Sequence, residues 1–249
     1  MTAAGHAICF DHVSKSFNDE RILDDVSFDV PRGTACCILG RSGTGKSVTL
    51  KLLMGLLKPD GGHIFVNDVE IETLDSVGLV AVRKSIGFLF QYSALFDSLT
   101  VAENVAFPLR RHTRLSKAEI ERTVREGLAE VGLEADLDKM PLDLSGGMRK
   151  RVGLARALAL KPSILLVDEP SSGLDPVTTR EIDTLLMALR SASKTTMVVV
   201  THNVPSARRL ADKLVILHEG HILVQGTVAE VDQSQDEDVR QFMRSVAGE

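Results

Sequence analysis

No stretch of the 249-residue sequence carries the roughly 18–20 consecutive apolar residues that a membrane-spanning helix needs. The opening Met1-Thr2-Ala3-Ala4-Gly5-His6 lacks a basic region followed by an apolar core, so no secretory signal is visible and the chain is expected in the cytosol. Cysteine is scarce. Cys9, Cys36 and Cys37 are odd in number and their spacing fits no zinc site. Adjacent Cys36 and Cys37 would point to opposite faces of a strand, and all three read as small buried hydrophobes in a reducing compartment. Positive charge is also short: 29 Lys and Arg face 34 Asp and Glu, a net −5 that argues against a nucleic-acid partner. The cluster Arg149-Lys150-Arg151 is therefore expected to be a solvated helix face or a partner contact. What remains, 44% hydrophobic and 25% charged residues, is ordinary for a globular chain with room for one large α/β domain or a domain with a sizeable insertion.

The most informative stretch is Gly40-Arg41-Ser42-Gly43-Thr44-Gly45-Lys46-Ser47, which matches the phosphate-binding pattern G-x-x-x-x-G-K-[ST]. The required context is present. Ala35-Cys36-Cys37-Ile38-Leu39 reads as a buried strand entering the loop, and Leu50, Leu53, Met54 and Leu57 form the apolar stripe of a helix leaving it. Glycines let backbone N–H groups turn inward around phosphate oxygens, and the following helix aims its positive end at the same anion. Lys46 is expected to reach the β- and γ-phosphates of ATP, and the Ser47 hydroxyl to bind Mg²⁺.

Upstream, two strands are predicted around Ile8–His12 and Val26–Val30, with Phe17 in a polar loop between them. Two readings stand for Phe17: a ring stacked on a nucleotide base, or a plug at the edge of a small sheet. Pro59-Asp60-Gly61-Gly62 marks a turn into the strand Ile64–Val66. Ile86–Phe90 is a further strand ending at Gln91, a polar residue placed to face a ligand. From 92 to 144 the pattern is helical, with a capping box at Ser116 and Glu119 and a stop at Gly132. Ser145, with Gly146 and Gly147 behind it, opens the next helix, either as a second anion-binding terminus or as a simple flexible cap. The strand Ile164–Val167 ends in Asp168-Glu169, two carboxylates that are costly there without partners or work. Beside a P-loop they read as a Mg²⁺ ligand and the residue that polarises the attacking water. Asp175 caps the next helix with Pro176 at its first position. Thr195–Thr201 is another buried strand, leading to His202 on the same sheet edge. A closing hairpin spans Leu214–Leu217 and Ile222–Val224. The last eighteen or so residues, with Val239, Phe242 and Val246, have too little apolar surface for a domain and are expected to pack on a neighbour.

These motifs, in this order and spacing, resemble those of ABC-transporter ATPase subunits over essentially the whole chain. The resemblance implies an α/β P-loop NTPase (RecA-like) core with a flanking antiparallel β-subdomain and an inserted α-helical subdomain. The core would cover 1–91 and 150–231, the helical part 92–149 with the signature motif at its end, and a tail 232–249. By that resemblance Phe17 stacks on adenine, and residues 40–47 cradle the phosphates. Gln91 is similar to the Q-loop glutamine, shared between catalysis and Mg²⁺. Ser145, Gly146 and Gly147 are similar to the signature that contacts ATP held by the other protomer of a homodimer. Asp168 resembles the Walker B metal ligand, Glu169 the catalytic carboxylate, Asp175 the D-loop aspartate and His202 the switch histidine.

Phe17 stands where tyrosine is frequent, and Met148 where the signature usually has glutamine. With Gln91-Tyr92-Ser93-Ala94-Leu95-Phe96 and Asn104-Val105-Ala106-Phe107-Pro108-Leu109-Arg110, Met148 resembles the Mce/Mla-type branch. That branch implies phospholipid as cargo, a permease docked on the helical part, a periplasmic lipid-binding subunit in the complex, and a peripheral place on the cytoplasmic face of a bacterial inner membrane. The alternative is an importer of amino acids or another small solute. Absence of sustained heptads sets aside the ABC ATPases of DNA repair, and a single cassette sets aside the translation-linked ones.

Overall fold

The computed structural model describes residues 5–245. A long hairpin opens it: β1 (His6–Phe17) and β2 (Glu20–Pro31) pair antiparallel. Asn18 and Asp19 between them sit at φ 46° and 65°, the left-handed pair that matches the twist of a two-residue hairpin. The expected short strands thus run on to the turn itself. Phe17 is not in a loop but closes β1 opposite Glu20. After β3 (Ala35–Leu39) and the glycine loop comes α1 (Lys46–Leu53). Leu50 and Leu53 are buried as their spacing predicts, whereas Met54 ends the helix and Leu57 lies beyond it, both still packed on the core. β4 (Gly61–Val66) and β5 (Val69–Glu70) complete a four-stranded sheet of order β2-β1-β4-β5. A helix that the apolar pattern does not reveal, α2 (Ser76–Lys84), buries none of its residues fully and leads into β6 (Ile86–Leu89).

The helical stretch follows: α3 (Val101–His112), α4 (Lys117–Glu130) and α5 (Gly146–Leu158). The capping box at Ser116 and Glu119 forms, and a second closes α3 through Thr100 and Glu103. Val105, Leu109, Val124, Leu128 and Val152 make a small core of their own. The chain then returns through β7 (Ile164–Asp168), α6 (Pro176–Ser193), β8 (Thr196–Thr201), α7 (Val204–Leu210), β9 (Lys213–His218), β10 (His221–Gly226), α8 (Val228–Asp232) and α9 (Glu237–Ser245).

The six-stranded sheet has the order β10-β9-β3-β8-β7-β6, parallel throughout except for the β10–β9 hairpin. Alternate side chains separate its two faces. Cys36, Ile38, Leu166, Val198 and Val200 meet α1 and the antiparallel sheet, where Phe10 and Phe28 stack 4.6 Å apart. Cys37, Leu39, Val167, Val199 and Ile216 meet the other side, with Ile182, Leu186 and Val204. Burial pushes the Cys36 thiol up to about 12 and raises Cys37 and Cys9 as well, so all three behave as small apolar side chains.

Two further expectations are corrected. The tail does not wait for a neighbour, because α9 turns Val239, Phe242 and Met243 into the same apolar core as Ile216 and Val204. Val246 lies outside the described residues. The basic cluster is only partly a solvated face: Arg149 is exposed, but all three side chains bond within the chain. Lys150 is 4% exposed, Arg149 Nη1 donates to the Leu144 carbonyl at 2.6 Å, and Arg151 bonds both the Val131 carbonyl and Glu181. Helix ends leave carbonyls without partners, and these side chains supply them.

Candidate nucleotide site

Four adjacent parallel strands deliver four segments to one sheet edge. β3 ends in the glycine loop, β8 in His202, β7 in Asp168-Glu169 and β6 just before Gln91. Carboxyl ends of parallel strands are where such sheets hold ligands, since the chain there is free to turn outward.

The loop needs its glycines. Gly45 sits at φ 96°, and a Cβ there would lie 2.6 Å from Leu23 Cδ2. Gly43, at φ 85°, has nothing within 4 Å of its outer side, so the backbone is bare where a ligand would approach. Gly45 caps α1 with no side-chain bond, which leaves first-turn N–H groups for an anion. Lys46 Nζ donates to the Gly40 and Arg41 carbonyls at 2.8 and 2.9 Å and lies 3.8 Å from Glu169 Oε1. Desolvation lowers its pKa, and the neighbouring carboxylates Glu169 and Asp168 partly restore it.

Asp168 Oδ1 is buried without a hydrogen-bond partner. Desolvation raises this carboxyl's pKa and the charge of Glu169 adds to the shift, while Lys46 and Lys150 oppose it. A buried carboxylate oxygen left open on Asp168, with the Ser47 hydroxyl and the Gln91 amide oxygen at the cavity that the next residue, Glu169, lines, offers oxygen donors of the kind Mg²⁺ takes. Glu169 is held from several sides. Its Oε2 accepts from Thr201 Oγ1 at 3.1 Å and from the His202 N–H at 3.3 Å, and His202 Nδ1 lies 3.0 Å away. Its backbone is left-handed, φ 44°, which a side-chain-bearing residue adopts only when its surroundings impose it. Gln91 Nε2 donates to Ser172 Oγ at 3.2 Å.

A cavity of about 790 Å³ takes in Phe17, Ile22, Gly40–Gly43, Gly45–Val48, Gln91, Glu169, His202 and Phe242; Asp168, directly before Glu169, does not line it. Thr44 faces inward to the loop, its hydroxyl donating to the Arg41 carbonyl at 2.9 Å. Ser145, Gly146, Gly147 and Asp175 do not line the cavity. They lie together elsewhere: a Cβ on Gly146 would come 3.2 Å from Leu174 Cδ2, and one on Gly147 2.6 Å from Thr178 Cγ2. Ser145 caps α5 through the Met148 N–H at 3.2 Å, and Asp175 caps α6 by accepting from the Thr178 hydroxyl and from the Thr178 and Val177 N–H groups, hydrogen bonds that hold its carboxyl below the ordinary range, the hydroxyl's most of all.

The sequence reading did not assign Ile22, Phe242, Thr201 or Lys150 to the site. Lys150 was within reach, because Gly147, Lys150 and Leu154 follow i, i+3, i+7 on the buried side of α5. Lys150 Nζ donates to the Gln91 carbonyl, and to that of Glu169 at 3.1 Å; desolvation brings it down to about 8.

The sequence model of the ABC transporter family matches residues 23–172. The chain is 45% identical over 239 residues to the "Probable ribonucleotide transport ATP-binding protein mkl" of Mycobacterium leprae, covering 96% of this chain and 69% of that one. It is 43% identical to the methionine import ATP-binding protein MetN of Rhodopseudomonas palustris, over 91% of this chain and 61% of that one. To the intermembrane phospholipid transport system ATP-binding protein MlaF of Escherichia coli it is 40% identical, over 94% and 87%. Among solved structures it is similar to the dimeric cassette MJ0796 in a post-hydrolysis state with ADP and Pi, at TM-score 0.81 and 33% identity, covering 89% of this chain and 98% of that one. It is also similar to cbiO1 of Clostridium perfringens, at TM-score 0.86 and 29% identity over 96% of both chains. The chain belongs to the ABC transporter ATP-binding family, an enzyme that hydrolyses ATP with Mg²⁺ as cofactor.

Proposed function

We propose that this chain energises transport as one of two identical ATPase subunits docked on membrane permease subunits. One observation carries the assignment of roles: the glycine loop, Gln91, Glu169 and His202 converge from four strand ends on one cavity, with Asp168 directly before Glu169 at the end of β7. Backbone N–H groups of residues 40–47 and Lys46 bind phosphates, and Phe17 at the cavity mouth packs on the base. Ser47, Asp168 and Gln91 would hold Mg²⁺, which when bound draws charge from the phosphates. Glu169, fixed by Thr201 and the His202 backbone, accepts a proton from water, and the His202 ring orients beside it. Ser145, Gly146, Gly147 and Asp175, absent from the chain's own cavity, serve the partner's.

We divide the chain into a core (1–91 and 150–231), a helical lobe (92–149), the permease's docking face in this proposal, and a tail (232–249); the lobe's apolar cluster extends through α5 to Val152 and Ala155 on the core side of that boundary. Among the described residues no helix is long and apolar enough to cross a membrane. As a member of the family the subunit is peripheral, at the cytoplasmic face.

For the cargo, a small solute comes first. Relatives named for ribonucleotide transport and methionine import are 45% and 43% identical, against 40% for the phospholipid one. That reverses the order expected from the subgroup residues. A phospholipid, delivered by a periplasmic lipid-binding subunit, stands second, on Met148 and the 87% coverage of the phospholipid relative. Stimulation of ATPase activity in the reconstituted complex, by nucleotides or amino acids as opposed to phospholipid composition, decides between them. For the site itself the test is Glu169→Gln. Losing a general base costs about 10²–10⁴ in rate, roughly 3–5 kcal/mol of barrier, with ATP binding retained. Steady-state hydrolysis at the normal rate would remove Glu169 from this role.

A further inference from the structure

Lys150 is the buried charge that the roles above leave unused. It is 4% exposed, on the second turn of the helix whose cap is Ser145. Among the described residues its ammonium pairs with no carboxylate at hydrogen-bond distance, although the charges of Asp168 and Glu169 act on it through space. It donates to two main-chain carbonyls, Gln91 O and Glu169 O, at the ends of the neighbouring strands β6 and β7. Burying an ammonium is costly unless its donors are used, and here two are spent on backbone position.

Both targets need holding. Glu169 has φ 44°, and besides Lys150 only hydrogen bonds from its own N–H to Val200 O (2.9 Å) and from the Ser172 N–H to its carbonyl (3.1 Å) are seen on its backbone. Beyond Gln91, Ser93 and Ala94 are also left-handed, at φ 61° and 45°. Arg156, further along α5, donates to the carbonyls of both at 2.6 and 2.8 Å. One helix thus grips the segment 91–94 with two cations and, with one of them, the left-handed backbone of Glu169 through its carbonyl.

The geometry points to Lys150 as a positioning residue that ties a protomer's Ser145–Gly147 helix to that protomer's own Gln91 and Glu169. This rests on the roles proposed above. It has a mechanical consequence: the helix end that completes the partner's site and the carboxylate that works in its own site are fastened to one another. A shift of the helix on closure is passed to Glu169 through one side chain, without a contact between the two nucleotides.

The experiment uses the full chain with its permease partner. Lys150→Met keeps length and removes the donors. It is expected to lower kcat at least about tenfold while KM and ATP affinity stay within about threefold, the pattern of misplaced catalytic geometry with intact binding. Lys150→Arg keeps a cation that can fork to two carbonyls and is expected to recover most of kcat; Lys150→Gln, a shorter neutral donor, falls between. A folded Lys150→Met with wild-type kcat, or one that loses ATP affinity in step with kcat, overturns the assignment. So does failure of all three variants to fold, since the residue is then structural only. Glu169→Gln and Lys46→Ala run alongside: if these still hydrolyse ATP normally the site roles fail, whereas if only Lys150→Met does, the positioning role alone falls.

Discussion

Phe242→Ala probes the docking of α9 on its own chain. Phe242 is 5% exposed and flanked by Val239 at 1% and Met243 at 6%, so the ring is the centre of a three-residue apolar contact. Truncating a buried phenylalanine costs about 3–5 kcal/mol when the surroundings cannot collapse. A nine-residue terminal helix can also come away by itself, so the loss is capped by the free energy with which α9 docks. Taking about 3 kcal/mol and about 2–4 °C per kcal/mol for a chain of this size, the melting temperature should fall by about 6–12 °C. Because the same ring lines the nucleotide cavity, ATP binding should weaken too, severalfold. Thermal unfolding at several protein concentrations, with equilibrium ATP binding on the same samples, measures both. An unchanged melting temperature together with unchanged ATP affinity would refute the docking. A loss that grows only on dilution would show that the ring belongs in a neighbour's core.

Phe17 is 41% exposed at the cavity mouth, with Lys15 Nζ 5.4 Å from its ring centre. Phe17→Ala should weaken ATP binding by about 1 kcal/mol, roughly fivefold, and leave tripolyphosphate binding unchanged; equal losses would make the ring an edge plug. Mixing Lys46→Ala chains with Ser145→Arg chains, each inactive alone, should restore ATPase activity by leaving one intact composite site per heterodimer. Full activity of Ser145→Arg by itself would contradict a site completed in trans.

Where residue type alone dictates backbone, the sequence was readable. The loop glycines, the Asp175-Pro176 cap, the Ser116 box and the continuous apolar strand Ala35–Leu39 all sit where their chemistry puts them. Tertiary facts were not. Val239 and Phe242 form an ordinary amphipathic stripe, which says that something covers them and not whether it is the same chain. Phe17 was misplaced because β1 is bulged, with His12 left-handed at φ 54° and register shifts from Phe10 to Ser16 breaking the alternation, so the strand seemed to stop early. Lys150 was counted with its charged neighbours when its place on the helix, and not its charge, decided its burial.

The strand order has a consequence for biosynthesis. The apolar strand Ala35–Leu39, which carries the glycine loop, pairs with Thr196–Thr201 on one side and Lys213–His218 on the other. Neither neighbour exists until about 160 residues more have been translated, on the order of ten seconds or longer at usual rates of synthesis. During that interval the early hairpin can pair with itself, while the central strand has no sheet to join. An ATP site cannot assemble on the nascent chain before its C-terminal third emerges, and chaperone protection of the exposed Ala35–Leu39 segment would matter most in that window.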